Sequence, residues 1–595
     1  MKQSSDSILN FNGANPFSDI QSRSYSDKKV AGEFYPTSCF WSLFNDQHEV
    51  LVGKRGSGKT FLLKMMRQSM LKTVLSANAE EIVRKKEYCA FYVPMQLEIV
   101  SQFGAVDYDC DRQRQIFCFF FNSILAEAIL DEIIKQNESM PETESSIQSE
   151  IDVSRSIFIS WFGNSPQIKS IHSYADIIDI VRDQYYGFDL RNGDLSAIPA
   201  SFTRSICNTL ILAKRHIRKA LSLHIDPTYI VCVDEAEFLN QNILKCINNF
   251  FRSNSEGIVL KVATLPFYYS TYETLTNISA NPGHDFTFRI VDINYESDDF
   301  INLTNKLCAS RIMNHAPQLG ISFTKLEEFV GRVGKDDRID YYRAEVGEEK
   351  ATREYIEEQI INEFSRTRKQ NSERYSYRRK TIYDKFAPVF YVREMRKISK
   401  KGNSIPGWYA GADIIRKVSD GNPRTFLQIM NALFETARKT RLTPKAQHQV
   451  IVKYAAEFCD STQAIEGYGP ISYDVLNQIG CYLQIKVHDG PLVANGNSFK
   501  LKLDYHDKEL VESLKQAIAF SRVSVPVDVI KYGLNLNTEY VLSNLYAVHY
   551  WVPMRKDQIR IIPIKKKIDN SYVIDMTDLN DSVHLQLPLF EGEPL

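Results

Sequence analysis

Three apolar residues, Val50-Leu51-Val52, lead directly into Gly53-Lys54-Arg55-Gly56-Ser57-Gly58-Lys59-Thr60, and Phe61-Leu62-Leu63-Lys64-Met65-Met66 follows with the leucine and methionine content of a helix. This order of strand, G-x-x-x-x-G-K-T loop and helix constrains the fold more than any other stretch. Its glycines let backbone N–H groups turn inward around phosphates, Lys59 reaches the terminal phosphates, and the Thr60 hydroxyl ligates magnesium. The helix that begins there points the positive end of its dipole at the same anion. Gly53, Lys54, Arg55, Gly56, Ser57, Gly58, Lys59, Thr60 and Phe61 are therefore the candidate binding residues for a nucleoside triphosphate, with ATP and Mg2+ as the expected ligands.

A second motif agrees with the first. Tyr229-Ile230-Val231-Cys232-Val233 reads as a buried strand and ends in Asp234-Glu235. Acidic residues at the exit of such a strand suit a metal site: Asp234 holds the magnesium shell, and Glu235 orients and deprotonates an attacking water. Taken alone, Asp234 as a cap on the next helix is the simpler reading. The complete phosphate loop upstream favours the catalytic one.

Further strands are expected at Glu49–Val52, Tyr88–Val93, Ile258–Thr264 and Phe286–Ile293, with helices between them, including Phe238–Arg252. Alternation of this kind implies a parallel α/β sheet with connections on both faces. The helix Gln115–Lys135 has a Phe-rich centre that must be buried on more than one side. After it, Gln136 to Ser146 reads as an exposed polar loop. The distance from the phosphate loop to Asp234 is long for a compact core, which implies a helical insertion over about 136–200. Thr264, at the end of its strand, stands where a hydroxyl senses the terminal phosphate or the lytic water, or simply ends the strand.

A third motif lies far downstream. Gly411–Val418 reads as a short helix, Ser419-Asp420-Gly421-Asn422-Pro423 breaks it, and Arg424 opens a helix over Thr425–Arg438. The turn delivers one arginine at a helix start, where it can bridge from a helical lid to a γ-phosphate. By itself the tetrapeptide is an ordinary helix-start turn; its place after the other motifs gives it meaning.

In this order the motifs resemble the AAA+ superfamily, and most closely its initiator branch, the origin-recognition ATPases and their bacterial relatives of unknown or defence-linked role. Asp234-Glu235-Ala236-Glu237 and Asn15-Pro16-Phe17 are similar to those bacterial relatives in particular. The resemblance spans about residues 15 to 445. It implies that Lys59 and Thr60 hold phosphate and magnesium, that Asp234 and Glu235 serve metal and water, and that Thr264 and Arg424 are the first and second sensors, so that the catalytic set of an ATP hydrolase is Glu235, Lys59, Arg424 and Thr264. The implied fold is α/β: a parallel five-stranded core with helical insertions over 1–300, an α-helical lid over 301–455 with a basic insertion at about 350–401, and a winged-helix-like α+β domain over 456–595. Such ATPases usually take an arginine finger from a neighbouring subunit, yet Phe267–Phe288 contains no arginine. Arg289 and Arg252 are the nearest substitutes, each equally readable as an ordinary surface arginine.

Partners are the least determined part. With 595 residues, 44% hydrophobic content and a net charge of −1, the chain has ample core, and bulk charge points to neither nucleic acid nor membrane. Its 10 cysteines are scattered without a C-x-x-C pair and read as reduced core residues. The polar start Met1-Lys2-Gln3-Ser4-Ser5-Asp6 lacks a signal-peptide stretch, and no segment nears the ~20 apolar residues of a membrane span, so a cytoplasmic chain is expected. Locally, Arg366, Arg368, Lys369, Arg374, Arg378, Arg379 and Lys380, interleaved with Tyr375 and Tyr377, form a block suited to a phosphate backbone and unpaired bases, or to a solvated helical face.

In the C-terminal region, helices around Asp507–Phe520 and Thr538–Ala547 precede strand-like runs at Tyr550–Pro553 and Gln558–Ile562. The recognition-helix candidate Thr538–Tyr546 has no lysine or arginine, which argues against base readout. Arg555, Lys556, Arg560 and Lys565–Lys567 remain for phosphate contact, unless the domain binds protein alone. Near the end, Gln586, Leu587, Leu589 and Phe590 resemble the short peptide that docks on sliding clamps, or pack on their own domain. The expected function is a Mg-dependent ATPase that switches an assembly on DNA, with self-association. The alternative is an ATPase signalling or scaffold subunit of an anti-phage defence system, whose partner is an effector protein.

Overall fold

A computed structural model of the chain describes residues 15–20, 25–95, 109–138, 143–189, 194–253, 257–276, 278–319, 325–331, 335–367, 379–400, 407–489, 492, 496–502, 507–555, 560–566 and 572–574. The chain divides into two compact units. One comprises Gln21–Gly53 and Gly58–Asp292, the other Met1–Ile20, Lys54–Ser57 and Ile293–Leu595.

The first unit is built on five parallel strands in the order β2-β3-β4-β1-β5: β1 Glu49–Val52, β2 Tyr88–Pro94, β3 Thr228–Asp234, β4 Ile258–Thr264 and β5 Thr287–Ile290. The central strands are continuous runs of Val, Ile, Leu, Ala and Cys because a parallel sheet is covered on both faces. Leu51, Ala90, Ile230, Cys232, Val259 and Ala263 pack with Leu62, Leu63, Met65 and Met66 of the helix Lys59–Met65 and its C-cap. Their alternating neighbours Val50, Val231, Val233, Leu260 and Val262 are equally buried, so the opposite face is covered too.

The Phe-rich segment lies in the helix Cys110–Asn137, where Phe117, Phe119, Phe120 and Phe121 are all buried. That helix runs on through the start of the expected polar loop, and the chain is helical again from Glu144, where Thr143 and Ser146 form a capping box. Helices Glu144–Phe162, Tyr174–Tyr186 and Asn208–Ala220 follow. The buried Asn122 amide donates to Phe202 O at 2.9 Å and Ser205 O at 2.8 Å, and Trp161 Nε1 donates to Thr209 O at 2.9 Å. After β3, the expected helix over 238–252 begins later than predicted. A 3-10 turn, Ala236–Phe238, comes first, and the helix Gln241–Arg252 starts only where the Asn240 side chain accepts from Ile243 N.

The second unit opens with a mostly helical stretch, including Asp298–Leu319, Arg353–Thr367, Arg379–Lys400, Ala412–Val418, Pro423–Ala437 and Pro444–Asp460. The N-terminal Asn15-Pro16-Phe17 is part of it: Asn15 Nδ2 donates to Asn431 Oδ1 at 2.8 Å and Glu435 Oε1 at 2.9 Å, and Phe17 is buried against Phe434.

The C-terminal part of this unit is α+β, and it is larger than a pair of wing strands. Five strands lie in the order β10-β9-β6-β8-β7: β6 Ser498–Lys502, β7 Val523–Ser524, β8 Glu539–Leu542, β9 Arg560–Lys566 and β10 Tyr572–Ile574. Only β6 and β9 are parallel. The expected helix over Thr538–Ala547 is divided: residues 539–542 form β8, and Ser543 then caps a helix at Asn544–His549. Tyr550–Pro553 is not a strand; the antiparallel pair lies later, in β9 and β10. Among the described residues, no helix is long and apolar enough to cross a membrane.

Candidate functional site

Gly53 closes β1 and donates its N–H to Thr264 O at 3.2 Å, while Val52 lies in register beside Thr264. The start of the phosphate loop and the end of β4 are thereby fixed side by side. Lys59 is buried, and its Nζ donates to Gly53 O at 2.6 Å. Gly58 is left-handed at φ +94° and precedes the helix Lys59–Met65 without a side-chain cap. A non-glycine residue is disfavoured there. The N–H groups of Gly58, Thr60 and Phe61 take no acceptor from the described protein, which leaves them as donors at the helix start.

Asp234 ends β3 with 2% exposure. Its Oδ2 accepts from Tyr92 Oη at 2.9 Å and its Oδ1 from the Glu235 N–H at 3.0 Å. Among the described residues no lysine or arginine forms an ion pair with it. A buried carboxylate without a counter-charge is costly unless a cation arrives, and this donor set fits a hard divalent metal. Glu235 follows at φ +61°, a left-handed conformation that a non-glycine residue holds only against strain. The Thr264 hydroxyl is fully buried and has no hydrogen-bond partner in the described protein. Buried hydroxyls are nearly always bonded, so this one is an exception.

The four residues Lys54–Ser57 lie in the second unit and make contacts there that no local sequence pattern signals. Arg55 N donates to Ala519 O at 2.8 Å, Asn422 Nδ2 donates to Arg55 O at 2.9 Å, and Arg424 N approaches Gly56 O at 3.4 Å. Gly56 has φ +91°, and a Cβ on it would stand 2.6 Å from Arg424 Cβ and 2.7 Å from Asn422 Oδ1. The turn itself forms as read: Asn422 Oδ1 accepts from Arg424 N at 3.0 Å and Thr425 N at 3.3 Å, and Pro423 occupies the first helical position. Gly421 is required there too, since a Cβ would fall 1.8 Å from Ile293 O.

Two residues escaped the sequence reading. The sequence places Tyr92 only in a strand and Asn422 only in a turn. Tyr92 stands in no motif, and the motif that holds Asn422 marks only its turn; the further contacts of both are to partners remote in sequence.

The profile of the ORC-CDC6-like family matches residues 15–562, nearly the whole chain. The chain belongs to the ORC-CDC6-like family. No curated protein matches it. Family and fold agree: the ORC-CDC6-like chain is an AAA+ ATPase with a nucleotide-binding, five-stranded parallel core.

Both arginine-finger substitutes have partners within their own unit. Arg289 donates to Glu49 Oε1 through Nε at 3.1 Å and Nη2 at 2.5 Å, and to Ser42 Oγ through Nη1 at 2.9 Å. Arg252 Nη1 donates to Ser279 O at 2.7 Å and lies 3.6 Å from Asp285 Oδ2. Glu49 is fully buried and also pairs with the buried Lys261, whose Nζ stands 3.2 Å from Glu49 Oε2. Burial pushes the Lys261 ammonium below its ordinary value, against the opposing pull of Glu49.

Of the basic block, Arg366 lies near the end of the helix Arg353–Thr367, and Arg379 and Lys380 open Arg379–Lys400. Arg368, Lys369, Arg374 and Arg378 lie outside the described residues, as do Lys556, Lys567 and the tail residues Gln586, Leu587, Leu589 and Phe590. Arg560 and Lys565 belong to β9, and Arg555 Nη1 donates to Lys385 O at 3.2 Å.

Proposed function

We propose that this AAA+ ATPase binds ATP with Mg2+ at Gly53–Phe61, hydrolyses it, and uses the change to switch an assembly on DNA. The observation that carries the reading is the end of β3, where a buried, cation-free Asp234 is followed by a strained, left-handed Glu235. That pair stands in the same sheet as the strand that feeds the phosphate loop.

Asp234 and Thr60 would hold the magnesium, which supplies neutralisation of the phosphate charge. Lys59 binds the terminal phosphates, and the free amides of Gly58, Thr60 and Phe61 orient them. The Thr264 hydroxyl takes the lytic water or a γ-phosphate oxygen as its partner. Glu235 accepts a proton from that water as the oxygen attacks phosphorus; the bond to the bridging oxygen breaks, and ADP and phosphate leave. Arg424 responds to loss of the γ-phosphate. Contacts made only with the intact triphosphate bias a two-state element, and their loss releases it. DNA as the partner is supported by the family and by the basic composition around 366–380.

The deciding experiment is ATP turnover by the full chain with and without DNA, beside Glu235→Gln, with mass in solution followed by light scattering. DNA-stimulated turnover that Glu235→Gln abolishes supports the reading. Turnover indifferent to DNA would move the function to a protein-sensing scaffold.

A further inference from the structure

The tip of the phosphate loop is gripped by the C-terminal α+β domain. Arg55 is held on both sides of its backbone, by Ala519 O on its N–H and by the Asn422 amide on its carbonyl. Its guanidinium lies over the Phe520 ring, 5.1 Å from the centroid. Lys54 Nζ reaches Ser524 Oγ at 2.5 Å. Between these points the chain turns at Ser521, left-handed at φ +64°, whose hydroxyl accepts the second proton of Asn422 Nδ2 at 3.0 Å. Asn422 is 5% exposed. Its oxygen caps the lid helix while its nitrogen joins loop and C-terminal segment. A second tie runs beside the first: Asn544 donates through N to Asp420 Oδ2 at 2.7 Å and through Nδ2 to Asp420 Oδ1 at 2.6 Å.

Two of the four variable positions of a phosphate loop are thus spent on protein contacts. Segment 519–524 comes from a domain with no sequence signal for nucleotide, and it fixes the peptide units just before those that orient phosphate. A loop held in shape before its ligand arrives loses less freedom on binding. Coupling between two sites is reciprocal, so whatever seats this segment tightens nucleotide, and nucleotide seats the segment.

The geometry points to residues 519–524 as a clasp that sets the nucleotide affinity of the phosphate loop, with Asn422 as its positioning residue and movement of the C-terminal domain as its control. This regulation rests on the nucleotide reading above. A partner bound by the C-terminal domain acts on nucleotide by shifting this segment.

The informative substitution is Asn422→Asp. It retains the side-chain oxygen that caps the lid helix and replaces the bridging donor with an acceptor facing Arg55 O. Binding of a fluorescent ATP analogue to the full chain is titrated for the wild type, Asn422→Asp, Ser524→Ala and Lys59→Ala. Amide exchange of 519–524 is followed with and without ATP. The clasp predicts roughly 10-fold weaker nucleotide binding in Asn422→Asp, a smaller loss in Ser524→Ala, and ATP-dependent protection of 519–524 in the wild type that Asn422→Asp abolishes. Wild-type affinity in Asn422→Asp, or exchange at 519–524 indifferent to ATP, would overturn it. A purely structural role would lower the melting temperature and leave the ATP-dependent protection intact, which also overturns it. Equal binding by Lys59→Ala and wild type would instead remove the nucleotide reading itself.

Discussion

Tyr92 and Asp234 lie diagonally across the β2–β3 pair, phenol Oη to carboxylate Oδ2 at 2.9 Å. The tyrosine fixes the rotamer of an acid that would otherwise have only its neighbour's N–H to hold it. Lys64 Nζ lies 5.6 Å from the same ring, which places a cation beside the phenol rather than on the acid. Outer groups that orient a metal ligand typically change metal affinity or activity by about 10–100-fold. Tyr92→Phe is therefore expected to raise the magnesium concentration for half-maximal turnover by about 10-fold with little effect on metal-free nucleotide binding, as magnesium titrations at saturating ATP will read.

Glu235 and Lys59 should separate cleanly. Glu235→Gln removes the proton acceptor and is expected to lower turnover by about 10²–10⁴-fold while nucleotide remains bound. Lys59→Ala is expected to lose binding as well. Equilibrium titration with a fluorescent nucleotide beside a phosphate-release assay distinguishes them.

The buried cluster of Glu49, Lys261 and Arg289 makes a stability prediction. Lys261→Met leaves the fully buried Glu49 carboxylate short of one cation, and breaking a buried pair costs about 3–5 kcal/mol. Chemical denaturation will read that loss. Arg289→Ala should likewise act on folding and not on a neighbour: mixing it with Lys59→Ala, in which the donor of a trans arginine and its acceptor site sit on different chains, should recover no activity attributable to Arg289.

The half-buried His48 and the buried His448 both weaken the fold in acid. His48 Nδ1 accepts from Leu260 N at 3.0 Å and His448 Nδ1 from Tyr409 N at 3.2 Å, so both are held neutral, and burial lowers each from 6.5 to about 4. The unfolded chain takes up these protons near pH 6.5 and the folded chain only near pH 4. Stability is thus fully present above pH 6.5 and falls as pH drops through that window, by about 3 kcal/mol for each group. His448→Gln should lower the proton uptake on unfolding at pH 5 by about one, read from the slope of unfolding free energy against pH.

What the sequence made legible follows covalent spacing. Gly53 to Thr60 and Asp234-Glu235 carry their chemistry in consecutive residues, and the buried strands announce themselves as apolar runs. Contacts made over long separations left no such trace. Asn422 meets Arg55 and Ser521, and Arg289 meets Glu49, through partners that no local pattern connects. The C-terminal sheet was obscured for a related reason. Short segments such as Glu539–Leu542 have too few residues for a period of two to show against a period of 3.6, and the parallel pairing of β6 with β9 joins residues some sixty apart.

Gly56 shows how far a constraint can travel along a chain. The motif G-x-x-x-x-G-K-T leaves its third variable position open, since no phosphate dictates it. Here that position is closed by Arg424 and Asn422, which would meet any added Cβ within 2.7 Å. The alphabet available to residue 56 is thus dictated by a turn more than 360 positions later in the sequence. Transplanting the phosphate loop without the lid turn would lift that restriction, and redesigning the turn without the loop would violate it; the two segments must be exchanged together as one cassette.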